Sequence, residues 1–203
     1  MMEEYNINQT TLKILGLYSN DYSKPLHVRK IARETKTDVK TIQLQLRRLE
    51  KVNVLSSILN GRNREYRLNL GNLIVKQYMV MAETFASISY LSENFLIKKV
   101  VDEIGDLIEG VVVLFGSFAK GQATKSSDID IFVVSGKKPD ADAVRETGDR
   151  VGRVINIKTS IKKQFSKGLE NKDPLISEVV LNHIILNGTD EFCGIMWRYY
   201  VRQ

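Results

Sequence analysis

Between Val111 and Val134 the chain reads Val-Val-Val-Leu-Phe, then Gly116-Ser117, then a polar stretch, then Asp128-Ile-Asp130-Ile-Phe-Val-Val. No other segment constrains the fold as tightly. An apolar run that stops at Gly-Ser and soon resumes reads as two strands. Strand side chains alternate faces, so Asp128 and Asp130 share one side while Ile129 and Ile131 take the other. Paired carboxylates repel each other unless a cation sits between them. Hard cations such as Mg2+ take oxygen ligands, commonly one or two carboxylates plus substrate phosphates. Gly116 lets backbone approach an anion, and Ser117 adds a hydroxyl. These residues together point to Mg2+ (or Mn2+) bound with a nucleoside triphosphate.

The segment resembles the signature of the DNA polymerase beta-like nucleotidyltransferase superfamily, in particular its small stand-alone members, the minimal nucleotidyltransferases. That pattern is an apolar strand, Gly-Ser, a short helix, then Asp-x-Asp in a second strand. Gly116, Ser117, Asp128 and Asp130 fill these places. The likeness runs from Leu107 to the C-terminus. It implies that Asp128 and Asp130 are the catalytic and metal-binding carboxylates. It also implies that Gly116 and Ser117 hold the phosphates, with Lys120 and Lys125 within reach of them on the following loop.

The resemblance also implies a third carboxylate on a later strand. Here Asp140, Asp142, Glu146 and Asp149 fall in a predicted helix, 139–151, and the next strand reads Arg153-Val-Ile-Asn156-Ile-Lys158. Asn156 takes the third-acid position, and Lys158 shares its strand face. Asparagine carries no charge and cannot act as a base. Positioned acid–base catalysis is worth roughly 10²–10⁴-fold, and a second metal adds several kcal/mol of charge stabilisation. Losing both leaves room for nucleotide binding with little chemistry. A different alignment would let another acid supply the third position.

Charge is unevenly placed. Residues 1–75 hold 13 Lys+Arg against 7 Asp+Glu, whereas residues 76–203 hold 17 of each, so the whole excess of +6 lies in the first third. That asymmetry indicates a polyanionic partner for this third. Its pattern predicts a helix at 9–19 (Leu12, Leu15, Tyr18), a second helix starting near Pro25 (Val28, Ile31, Ala32) and a third at 38–51. Asp38 caps the third, and Val39, Ile42, Leu46 and Leu49 recur through it at helical spacing. A hairpin follows, turning at Asn60-Gly61.

Residues 8–70 thereby resemble a winged helix-turn-helix domain. The likeness implies contacts to double-stranded DNA from Lys40, Thr41, Gln43 and Gln45 on the third helix and from Arg62 and Arg64 at the wing. Residues 71–105 read as helical, with a stripe at Tyr78, Met81, Phe85, Ile88 and Phe95. The stripe suits either packing within the chain or a homodimer interface.

The expected fold class is α+β: a winged helix-turn-helix domain (1–72), joining helices (73–105) and a small mixed-sheet nucleotidyltransferase-like domain (106–203). The longest apolar runs are too short for a membrane span, and the acidic, polar N-terminus does not read as a signal peptide. Cys193 is the only cysteine, so no intrachain disulfide forms. A cytoplasmic location is expected. Three functions fit: nucleotidyl transfer to an unidentified hydroxyl, transcription regulation by a DNA-binding protein with a catalytically degenerate domain, and an antitoxin-like partner role. His183, Trp197, Tyr199 and Tyr200 read as packing residues.

Overall fold

A Val-rich run buried at every position is what a central strand requires. In the computed structural model, which describes residues 7–61 and 63–202, Val111–Phe115 is such a strand. The architecture is mixed α+β, with ten α-helices and two sheets among the described residues. The chain divides into two units, Met1–Phe85 with Met196–Gln203, and Ala86–Ile195. The expected division differs, with joining helices at 73–105 and the C-terminal residues in the second domain.

The first unit contains α1 (Gln9–Gly16), β1 (Leu26–His27), α2 (Val28–Thr35), α3 (Val39–Lys51), β2 (Leu55–Asn60) and β3 (Asn63–Leu68). Its antiparallel sheet has the order β1-β3-β2. Helix α1 starts where Asn8 accepts a hydrogen bond from the Thr11 N–H at 3.0 Å, and α3 where Asp38 accepts from the Thr41 N–H at 2.9 Å. Each side chain satisfies a donor that the helix itself cannot. The second helix does not begin at Pro25. Leu26 and His27 pair with Tyr66 and Glu65 first, and the helix follows. Ile14, Leu15, Tyr18, Ile31, Ile42 and Leu46 form the interior, and the Tyr18 hydroxyl donates to the Tyr66 carbonyl at 2.9 Å.

Helix α4 (Ile74–Glu93) follows the hairpin. Its predicted stripe splits: Tyr78 is buried, whereas Met81 and Ile88 are exposed, seven positions apart. No helix among the described residues is long and apolar enough to cross a membrane.

The second unit continues with α5 (Phe95–Ile104), β4 (Val111–Phe115), α6 (Gly116–Ala119), β5 (Ile129–Val134), α7 (Ala141–Val151), β6 (Ile155–Ser160), α8 (Lys162–Glu170), α9 (Pro174–Leu181), β7 (Ile184–Asn187) and the start of α10 (Thr189–Val201). The sheet order is β6-β5-β4-β7; β5 and β6 run parallel and the other pairs antiparallel. Both faces are covered. On one, Val112, Leu114, Ile129, Ile131 and Val133 pack with Ile97, Val100 and Ile104 of α5. On the other, Phe115, Phe132, Phe165 and Phe192 form a chain of rings with centroids 5.7–6.4 Å apart.

Candidate functional site

Strand pairing brings the acidic residues together. Phe115 sits opposite Asp130 across β4–β5, and Asp130 sits opposite Asn156 across the parallel β5–β6 pair. Asp128 lies just before β5 and is exposed; Asp130 is half-buried. Both therefore stand where the buried sheet meets solvent.

Gly116 closes the turn out of β4. Its φ of +70° lies in the left-handed region that L side chains avoid. A Cβ there would overlap Oδ2 of Asp130 and stand 3.2 Å from its Cγ. This glycine thus allows both the turn and the close seat of Asp130. Ser117 follows within α6 and is half-buried. Tyr90 of α4 steadies the same turn by donating to the Phe118 carbonyl at 3.1 Å.

Asn156 reaches both aspartates. Its Nδ2 lies 3.4 Å from Asp128 Oδ2 and 3.2 Å from Asp130 Oδ1. One amide nitrogen thus lies within hydrogen-bond reach of an oxygen of each carboxylate. Lys158 is two residues on, on the same strand face, and exposed. The Lys120 ammonium pairs with Glu178 of α9 at 2.8 Å. That partner is 58 positions away and no local pattern announces it.

Two acidic oxygen donors on one strand face suit a hard divalent cation that completes its shell with nucleotide phosphates and water. Among the described residues, no group of three His, Cys, Asp or Glu side chains could hold a metal. The donor set fits one Mg2+ shared with a nucleotide and lacks the carboxylates of a two-metal clamp.

In the first unit, Lys40 and Gln43 are exposed on α3 and Thr41 is half-buried. Gln45 is not available for base contacts: it is buried and accepts a hydrogen bond from the Thr11 hydroxyl at 3.3 Å. Its position falls on the inward stripe of Ile42, Leu46 and Leu49, so helical period outweighs polarity here. Arg47 extends the exposed row of Lys40 and Gln43, as the helical period alone indicates. Arg64 is exposed on β3, 4.0 Å from Glu50. Arg62 lies outside the described residues. His183 donates from Nδ1 to the Val180 carbonyl at 2.8 Å and its ring lies 4.9 Å from that of Phe192, a packing role.

The class follows from this half of the chain. Residues 96–187 match the family model for the nucleotidyltransferase domain, and the second unit carries such a domain. No curated protein matches the chain. Among solved structures, the chain is similar to a toxin–antitoxin crystallised with AMP-PNP, at 18% identity over 52% of this chain and 86% of that one, with a TM-score of 0.37. It is also similar to TrmBL2, an archaeal chromatin protein, at 14% identity over 86% and 70% of the two chains, with a TM-score of 0.29. Human N-acetylserotonin methyltransferase with SAM aligns at 10% identity over 83% and 41%, with a TM-score of 0.27. All three scores are low; the domain assignment rests on the family match.

Proposed function

We propose that this protein binds DNA through its first unit and a Mg2+–nucleoside triphosphate through its second. On this reading nucleotidyl transfer at the second site runs far below the rate of a three-acid site. The observation that carries the reading is the Asn156 amide, which bridges Asp128 and Asp130 at 3.4 and 3.2 Å. Asp128 and Asp130 would hold the cation, which when bound neutralises triphosphate charge. Gly116 and Ser117 would face the phosphates. An acceptor hydroxyl attacking the α-phosphorus must lose a proton as pyrophosphate leaves, and Asn156 cannot take it. Lys158 adds a positive charge on that side.

Isothermal titration of the full chain with a non-hydrolysable ATP analogue, with and without Mg2+, tests the site. Mg2+-dependent binding that disappears in Asp128→Ala/Asp130→Ala is the expected result. Equal binding by that variant would sink the proposal. Asn156→Asp should raise pyrophosphate release by roughly 10²-fold or more if a missing base limits the rate. An unchanged rate would place the block elsewhere.

The DNA reading rests on charge and geometry in the first unit. All of the +6 excess lies in residues 1–75. The order α1, β1, α2, α3 and a β2–β3 hairpin supports a winged helix-turn-helix reading, in which α3 would be the recognition helix, with Lys40, Gln43 and Arg47 on its exposed side. Duplex affinity should fall steeply with salt, since each neutralised phosphate releases counterions. A homodimer is proposed on Met81 and Ile88, two large apolar side chains left exposed on α4. Light scattering should then give twice the chain mass, and Ile88→Glu should return it to one.

A further inference from the structure

We infer that the cavity between α7 and β6 is a second ligand site, one that takes a small amphipathic anion. It has a volume of about 770 Å3. Small-molecule sites commonly measure about 300–1,000 Å3 and combine apolar walls with a few polar anchors. Here the floor is the back of β6. Ile155 and Ile157 face the cavity, while Asn156 and Lys158 point to the other side of the same strand. Pro139, Val144 and Val154 complete the apolar lining. Val154 is 60% exposed, an unusual state for a β-branched aliphatic beside a cavity.

The charged lining is lopsided. Lys138, Arg145 and Arg153 stand against one lining carboxylate, Asp149. Arg145 shares its charge with Asp142 at 3.4 Å. Lys138 and Arg153 have no acidic partner among the described residues. The Nε–H of Arg153 is buried and without a hydrogen-bond partner, while its Nη1 donates to the Gly152 carbonyl at 2.9 Å. A carboxylate or sulfonate on an apolar body of matching size suits this lining: a negative charge for Lys138, Arg145 and Arg153, and hydrocarbon for the floor. The site is separate from the aspartate face and does not depend on the nucleotide reading.

The probe is 8-anilinonaphthalene-1-sulfonate, titrated by fluorescence into the full-length folded protein, with octanoate and octylamine as competitors. The expected result is saturable one-to-one binding, displaced by octanoate and not by octylamine. Lys138→Glu and Arg145→Glu, both at exposed positions, should each weaken it by about tenfold, the scale of one charge-assisted contact. Ala141→Trp, placed at the exposed lip, should block it. Thermal unfolding confirms that each variant is folded. Octylamine competing as well as octanoate, charge reversals without effect, or non-saturating fluorescence would each overturn the inference. So would a dimer that dissociates on Ala141→Trp, because a second copy would then cover this face.

Discussion

Replacing Gly116 with alanine separates two effects that the turn combines. The first is backbone strain: an L residue held at φ +70° costs roughly 1–2 kcal/mol. The second is displacement of Asp130, because the new Cβ overlaps Oδ2 and sits 3.2 Å from Cγ. The carboxylate must swing away and lose its 3.2 Å bond from Asn156. Gly121 provides the control. Its φ is +67°, and a Cβ there meets nothing within 4 Å. Gly121→Ala should therefore lose similar stability and keep the site. Gly116→Ala should lose the strain energy and also weaken Mg2+–nucleotide binding by at least about tenfold, or 1.4 kcal/mol. Urea unfolding measures the first effect, and isothermal titration with the ATP analogue the second. Wild-type nucleotide affinity in Gly116→Ala would refute the claim that this glycine seats Asp130. Equal affinity loss in Gly121→Ala would show that strain alone, not the carboxylate, sets binding.

Other substitutions test the remaining architecture. Phe132 is buried between the rings of Phe115 and Phe165, so Phe132→Ala should cost about 3–5 kcal/mol in urea unfolding; a loss below about 1 kcal/mol would contradict the packing described. Lys40→Ala and Arg64→Ala should each weaken duplex binding evenly across sequences and reduce the salt slope by about one. Gln45→Ala should instead lower stability by about 1 kcal/mol and leave sequence preference untouched. Burial, and secondarily Tyr66, pushes the Tyr18 phenol well above its ordinary value. The unfolded phenol loses its proton near pH 10 while the folded one keeps it, so stability present below that pH should fall as pH rises beyond it. Tyr18→Phe should flatten this alkaline limb; an unchanged limb would assign it to other groups, of which Tyr200 is one, also raised chiefly by burial.

What the sequence disclosed tracks where short-range physics decides. The spacing of Ile42, Leu46 and Leu49 and the cap at Asp38 specify α3 by themselves, because a helix's buried face and its first turn are local matters. The runs at 111–115 and 129–134 are apolar on both faces except at Asp130, and both are interior strands. The two-residue strand Leu26–His27 has no periodicity to read and exists only through its pairing with Tyr66 and Glu65. Gln45 looks like a surface residue by composition, and its burial depends on Thr11, 34 positions earlier. Lys120 suits a phosphate by sequence, and its pairing with Glu178, 58 positions away, is equally beyond local pattern. The α7–β6 cavity was illegible for the same reason: it arises from how far a helix stands from a strand, which no residue pattern encodes.

Asn156 also changes what the empty and filled states of the proposed nucleotide site must look like. Two neighbouring carboxylates with a third acid beside them carry a repulsion that only protonation or a cation can relieve. With asparagine in that place, two N–H···O contacts relieve it inside the protein. The aspartates then have less need of free Mg2+, and cation binding becomes tied to the arrival of a triphosphate that brings its own charge. On the proposed reading the cation would compete with the Asn156 amide for the carboxylate lone pairs. Asn156 belongs to β6, the edge strand that pairs in the sheet with β5. On the proposed reading, an Asn156 side chain that competes with the cation and cannot serve as a base for the acceptor would favour nucleotide binding over turnover.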